Sequence, residues 1–271
     1  MFGKLLKYDF RSMWKQFAFI WPAALALALV NHFTLNSFVT SASNTRQTVS
    51  GVAMLVYVAI LMAMFIVALV FTIQRFFKGL LGDEGYLMHT LPVKSRLLIA
   101  SKLLAAVAAT ALSILVAILS ILVVAPIQWG HIGDMFRGLG YLFTHWNIHM
   151  TQGVLLLLEL LLFICVGMAQ GYLQLYLAMA IGQLFNKNRI AMSVVAYIAV
   201  NAAMSVLLGV LGSMNFHPLQ ALGELLVNTS SLSGQGAAHL ALWIGIIWTG
   251  ALGALYFFGT EYILRKKLNL E

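Results

Sequence analysis

The chain has 271 residues, of which 62% are hydrophobic and 9% charged, with a mean hydropathy of +0.93 and a formal net charge of +8. Soluble domains carry roughly 25% charged residues. This composition therefore excludes a cytosolic enzyme, a nucleic-acid-binding domain and a disordered chain, and it predicts an all-α polytopic membrane protein.

Residues 1–16 place Phe2, Leu5, Leu6, Phe10, Met13 and Trp14, with Phe17 just beyond, on one helical face and Lys4, Lys7, Arg11 and Lys15 on another. The pattern predicts an interfacial amphipathic helix on the inner leaflet, its cations toward anionic headgroups. The alternative is a cytosolic extension of the first span. The apolar run behind it is longer than the 7–15 residues of a signal-peptide core.

Stretches without Asp, Glu, Lys or Arg run from Gln16 to Thr45, Gln47 to Gln74, Leu103 to Gly133, Gly138 to Asn186 (broken only by Glu159), Ile190 to Gly223 and Leu225 to Thr260. A bilayer core needs about 20 apolar residues per helix. The start of the longest stretch, Gly138 to Met150, is aromatic and His-rich and reads as interfacial. The runs predict six transmembrane helices, at 17–40, 51–77, 98–126, 151–184, 190–213 and 238–262. On that count Lys4, Lys7, Arg11, Lys15, Arg75, Lys78, Lys94, Arg96, Lys102, Lys187, Arg189, Arg265, Lys266 and Lys267 share one side, against Arg46 and Arg137 on the other. The positive-inside rule then puts both termini in the cytoplasm, in a multi-pass protein of the cell membrane. The whole chain reads as a single transmembrane domain with no convincing internal repeat.

The cytoplasmic loop between the second and third spans, residues 78–97, is the most structured. Gly79, Gly82 and Gly85 permit turns. Asp83 and Glu84 suit a helix start, where the dipole favours anions. Tyr86 to Leu91 then predicts a short helix ended by Pro92, and Ser95 caps the entry to the next span. Tyr86, Leu87, Met88, His89 and Leu91 would form a docking knob for a cytoplasmic partner, or would pack back on the membrane surface.

Here the sequence resembles a known family. Glu84-Gly85-Tyr86-Leu87-Met88, then Thr90-Leu91-Pro92-Val93, then Lys102, is similar to the pattern of ABC-2-type transporter permeases. The layout of N-terminal helix, six spans and informative loop covers nearly the whole chain. The resemblance implies a type V ABC exporter-like fold. In it, Asp83, Glu84, Gly85, Tyr86, Leu87, Met88, His89, Thr90, Leu91 and Pro92 would form the coupling helix that inserts into a separate ATP-binding subunit. It also implies a second copy or a related permease as partner, ATP and Mg on the partner ATPase with no cofactor bound by this chain, and a re-entrant hairpin near 215–232.

Other chemistry is absent from the sequence. No GxxxxGK[ST], GxSxG or HExxH occurs, so a phosphate-cradling loop or a hydrolase motif is not available. The single cysteine, Cys165, lies in an apolar run, and no disulfide framework or zinc spacing exists. Of seven histidines, His145 and His149 have helical metal-pair spacing, but an aromatic belt with Trp146, Trp129 and Tyr141 explains them more cheaply. No metal is expected.

Glu159 is the one acid deep in a span, with no obvious partner for intramembrane catalysis. A charge at mid-bilayer costs at least about 2.5–3.5 kcal/mol, so Glu159 should face the bundle, protonate or pair. Glu159, Gly167, Gln170 and Gln174 share roughly one helical face. The stripe lines a substrate path, or it hydrogen-bonds neighbouring helices with Glu159 near the outer interface. Gly167 and Gly171 form a GxxxG, which permits close packing within the subunit or in a dimer.

The expected function is the permease subunit of an ATP-driven exporter of a hydrophobic or amphipathic cargo such as a peptide, drug or lipid, with no enzymatic activity of its own. The alternative is a non-transporting membrane scaffold or sensor that docks a cytoplasmic partner. A secondary transporter comes third. Membrane lipids are expected partners; nucleic acid is not.

Overall fold

The structure, a computed structural model, describes residues 2–38, 44–81, 95–124, 150–185, 188–213 and 234–266. Among them there is no strand. The elements are α1 (Phe2–Phe38), α2 (Asn44–Phe76), a π-helical turn (Phe77–Leu81), α3 (Ser95–Val124), α4 (Met150–Gly182), α5 (Arg189–Ser213) and α6 (Gly234–Lys266). Among the described residues, five stretches are long and apolar enough to cross a membrane: Gly51–Leu81, Ser95–Val124, Gly153–Gly182, Arg189–Leu207 and Ala238–Arg265. α1 makes a sixth if its two arms, Leu5–Lys15 and Phe17–Phe33, count as one span bent by 44°. Pro22 lies inside α1; it lacks the amide that would bond back to residue 18, which weakens the ladder next to the bend.

The chain divides into two compact units, Met1–Arg75 with Ala100–Leu142, and Phe76–Ile99 with Phe143–Glu271. In the first, α1, α2 and α3 pack around Met13, Phe17, Trp21, Met64, Ala68, Ala105, Ala109 and Ala117. The small alanines of α3 let the bulky side chains of α1 approach its backbone, the usual device where lipid supplies no hydrophobic drive between helices. Trp21 Nε1 donates to Ser113 Oγ at 3.1 Å, and Tyr57 Oη lies 2.8 Å from Ser120 Oγ. Each serine also donates to a carbonyl on its own helix, so each hydroxyl both donates and accepts. Tyr57→Phe is expected to cost only about 0.6–1 kcal/mol in detergent unfolding, the usual worth of such a bond between membrane helices; a loss above about 2 kcal/mol would show that the tyrosine does more than bond to Ser120.

The buried register of α1 differs from the expected one. The residues turned inward are Asp9, Met13, Phe17, Trp21, Ala24 and Ala28, while Trp14 is half exposed. Trp14 packs edge-on against Trp21, with ring centroids 5.3 Å apart. The inward row is set by steps of four and three, and it includes an acid that the apolar pattern passes over.

In the second unit, α4 packs on α5 and α6. Its C-terminal half carries the core: Tyr172, Leu173, Tyr176, Leu177, Ala178, Met179 and Ala180 are buried, and Tyr176 stacks on Phe76 at 3.9 Å between centroids and 7° between planes. Its N-terminal half exposes Leu155, Leu158 and Leu161, side chains suited to lipid.

Candidate functional site

α4 meets α6 along one row. Glu159, Phe163, Val166, Gln170, Leu173 and Leu177 succeed one another at steps of four and three, and they meet α6 along its length. Carboxylate Oε2 of Glu159 lies 2.7 Å from His239 Nδ1, and Trp243 Nε1 donates to Oε1 at 3.0 Å. Further along, α6 presents glycines. A methyl group at Gly245 would lie 2.9 Å from Phe163, at Gly250 3.9 Å from Val166, at Gly253 3.6 Å from Gln170 and at Gly259 3.1 Å from Leu177. Partner positions advance together, so the two helices run parallel. Gly245 and Gly259 let Phe163 and Leu177 of α4 rest against the α6 backbone, whereas the distances at Gly250 and Gly253 are those of ordinary contact.

The expected polar stripe is divided by this arrangement. Glu159 and Gln170 both face α6, but about 16 Å apart along the axis at 1.5 Å per residue. Gln170 lines a mainly apolar groove of about 310 Å³ between α4 and α6, together with Val166, Leu173, Thr249, Gly253 and Phe258. Glu159 and Gln174 do not line it. Gln174 is buried, and Gly167 has open space where a side chain would stand. The GxxxG glycines Gly167 and Gly171 therefore take no close neighbour among the described residues.

Glu159 has the partner that sequence reasoning did not find. The side chains of Glu159 and His239 are 16% and 25% exposed. Glu159 stands six residues inside the apolar stretch of α4 that begins at Gly153, and His239 one residue inside that of α6, which begins at Ala238. The pair is thus near the beginning of both spans rather than midway along them, which lowers the cost of holding charge there. A signal was present: four residues after His239 comes Trp243, two polar-edged rings on one helical face in an otherwise apolar run.

At the other end of α6, Arg96 Nε donates to Glu261 Oε1 at 2.6 Å, and its guanidinium lies 5.8 Å from the Phe258 ring centroid. The first unit holds a second ionic cluster. Arg75 donates to Asp9 Oδ1 from Nη2 at 2.6 Å and from Nε at 3.1 Å, and Lys102 Nζ lies 3.8 Å from the same oxygen. Asp9 and Lys102 are 6% and 5% exposed.

The expected docking segment, Asp83 to Pro92, lies outside the described residues, as do His145, His149 and the segment near 215–232. Among the described residues no group of His, Cys, Asp and Glu is placed to hold a metal ion. No family model matches the chain, nor does any curated protein or solved structure. Among the described residues the fold is helical, with five to six helices able to cross a membrane, consistent with a multi-pass membrane protein.

Proposed function

We propose that the chain is the membrane-spanning permease subunit of an ATP-driven exporter similar to the ABC-2 type. The observation that carries this reading is the segment Gly82 to Val93, GDEGYLMHTLPV, placed between two helices apolar enough to cross a membrane and flanked by basic residues. The chain has no phosphate-cradling loop of its own, so ATP and Mg would be held by a separate subunit that receives Asp83 to Pro92. Both termini would be cytoplasmic, and a second copy or a related permease would complete the pathway. The apolar groove beside Gln170 suits a hydrophobic or amphipathic cargo.

Purification from native membranes in mild detergent tests the reading. A stoichiometric soluble protein with a Walker A loop is expected to accompany the chain. Its absence, under conditions that keep other such complexes together, would overturn the proposal. Replacing both Tyr86 and Leu87 with glutamate is expected to remove at least about nine-tenths of that partner, because two charges placed in a docking pocket forfeit several kcal/mol. Helical content measured by circular dichroism should be unchanged; full retention of the partner would argue against this loop as the docking element.

The Glu159–His239 pair favours a second reading, a proton-coupled secondary transporter, since ionisable pairs within membrane helices are common proton sites. Transport that survives ATP depletion but stops when the proton gradient is collapsed would select it.

A further inference from the structure

The chain passes between the two units after Arg75, before Ala100 and after Leu142. The first two passages bracket residues 76–99, which contain the proposed docking loop. Arg75 is the last residue before the first passage, and Lys102 is the third residue after the second. Both cations converge on Oδ1 of Asp9, at 2.6 and 3.8 Å. Arg75 adds a second bond to that oxygen and one to the Tyr8 carbonyl.

Asp9 is the one acid among the first 30 residues, in a stretch that carries Lys4, Lys7, Arg11 and Lys15. Asp9 stands on the inward row with Met13, Phe17 and Trp21, whereas Lys7, Arg11 and Lys15 are exposed. An exposed pair would exchange its partners for water at little cost. A buried carboxylate does not, and neither does a buried ammonium: separating them leaves a charge without solvent or counterion. Asp9 therefore holds Arg75 and Lys102 to α1 within the first unit.

We propose that Asp9 is a positioning residue that ties both ends of the docking loop to the N-terminal helix, so that a displacement imposed on the loop by an ATP-binding partner carries α1 with it. The inference rests on the exporter reading above.

The test uses the full chain with its co-purified ATP-binding subunit in lipid nanodiscs. Hydrogen exchange of amides 5–15 is read with and without ADP–vanadate. In the unmodified complex, vanadate trapping is expected to change exchange in this segment. In Asp9→Asn the partner stays bound, the vanadate response of residues 5–15 is lost, and exchange there rises on the order of tenfold in both states. Asp9→Glu restores the response. Should Asp9→Asn not fold, Arg75→Gln and Lys102→Gln serve instead, each freeing one end of the loop and each weakening the response. A merely structural role for Asp9 would raise exchange without removing its dependence on nucleotide. A full nucleotide response in the folded variants overturns this inference and leaves the exporter reading standing. Absence of any ATP-binding subunit with the unmodified chain removes that reading, and the inference with it.

Discussion

Replacing His239 with leucine is expected to destabilise the protein by about 3 kcal/mol, whereas the double variant Glu159→Leu/His239→Leu should lie within about 1 kcal/mol of the parent. The single change strands a carboxylate between two apolar helices with one remaining donor, the Trp243 indole at 3.0 Å. The double change removes the charge together with its partner and leaves a packed apolar contact. Titration with SDS in mixed micelles, read by tryptophan fluorescence, measures both values, and the double-mutant cycle gives the coupling. Costs that simply add would show that the 2.7 Å contact between Glu159 and His239 carries no energy of its own. Glu159→Gln separates fold from transport, because the amide oxygen can still accept from Trp243. If the substrate path extends beyond the groove beside Gln170 to Glu159, which does not line that groove, this variant assembles normally and transports differently; unchanged transport would remove Glu159 from the path.

The second large effect is expected at Gly182, the last residue of α4. A methyl group there would lie 2.6 and 2.7 Å from the backbone N and Cα of Ser193, and it would also meet the Ser193 hydroxyl. That hydroxyl donates to the Arg189 carbonyl at 2.9 Å within α5. The obstacle is helix backbone, which cannot rotate aside as a side chain can. The connection is also short, with Asn188 already in the left-handed region at φ 54°. Gly182→Ala should therefore cost about 3 kcal/mol, the upper end of ordinary overpacking. The contrast is Gly171→Ala, on the same helix with open space around it, which should be neutral or slightly favourable because alanine is the better helix former. Thermal unfolding of the two variants in one detergent makes the comparison; equal stabilities would show that α4 and α5 do not approach as closely as this.

The helical, multi-span character is legible from charge spacing, since uncharged runs such as Leu103 to Gly133 are far longer than the roughly 9–11 residues of a membrane strand. The interhelical contacts are not. Hydrophobicity in α4 and α6 is nearly uniform around the helix, so no periodicity distinguishes the row facing a helix from the row facing lipid. Glu159 announces that it needs a partner, but His239 is 80 residues away and reads as one scattered histidine among seven. Asp9 is hidden differently. The amphipathic pattern of residues 1–16 rests on its apolar and basic members, and the acid on the apolar row escapes it. A carboxylate on the inward register of a cationic helix is itself a signal that cations from elsewhere in the chain must come to it. Of the expected stripe, Glu159 and Gln170 both face α6 but meet different neighbours there, since helical phase says which side chains share a face and not which neighbour meets each of them.

The π-helical turn at Phe77–Leu81 ends α2 just before the proposed docking segment, with Gly79, Leu80 and Leu81 buried. Such a turn is in effect an α-helix that has swallowed one additional residue, and its geometry is less favourable than the regular form. Releasing that residue would turn everything beyond it by about 100° about the helix axis, one residue's share of a 3.6-residue turn. Over five residues the chain thus holds a local winding whose register differs by one residue from that of a regular helix.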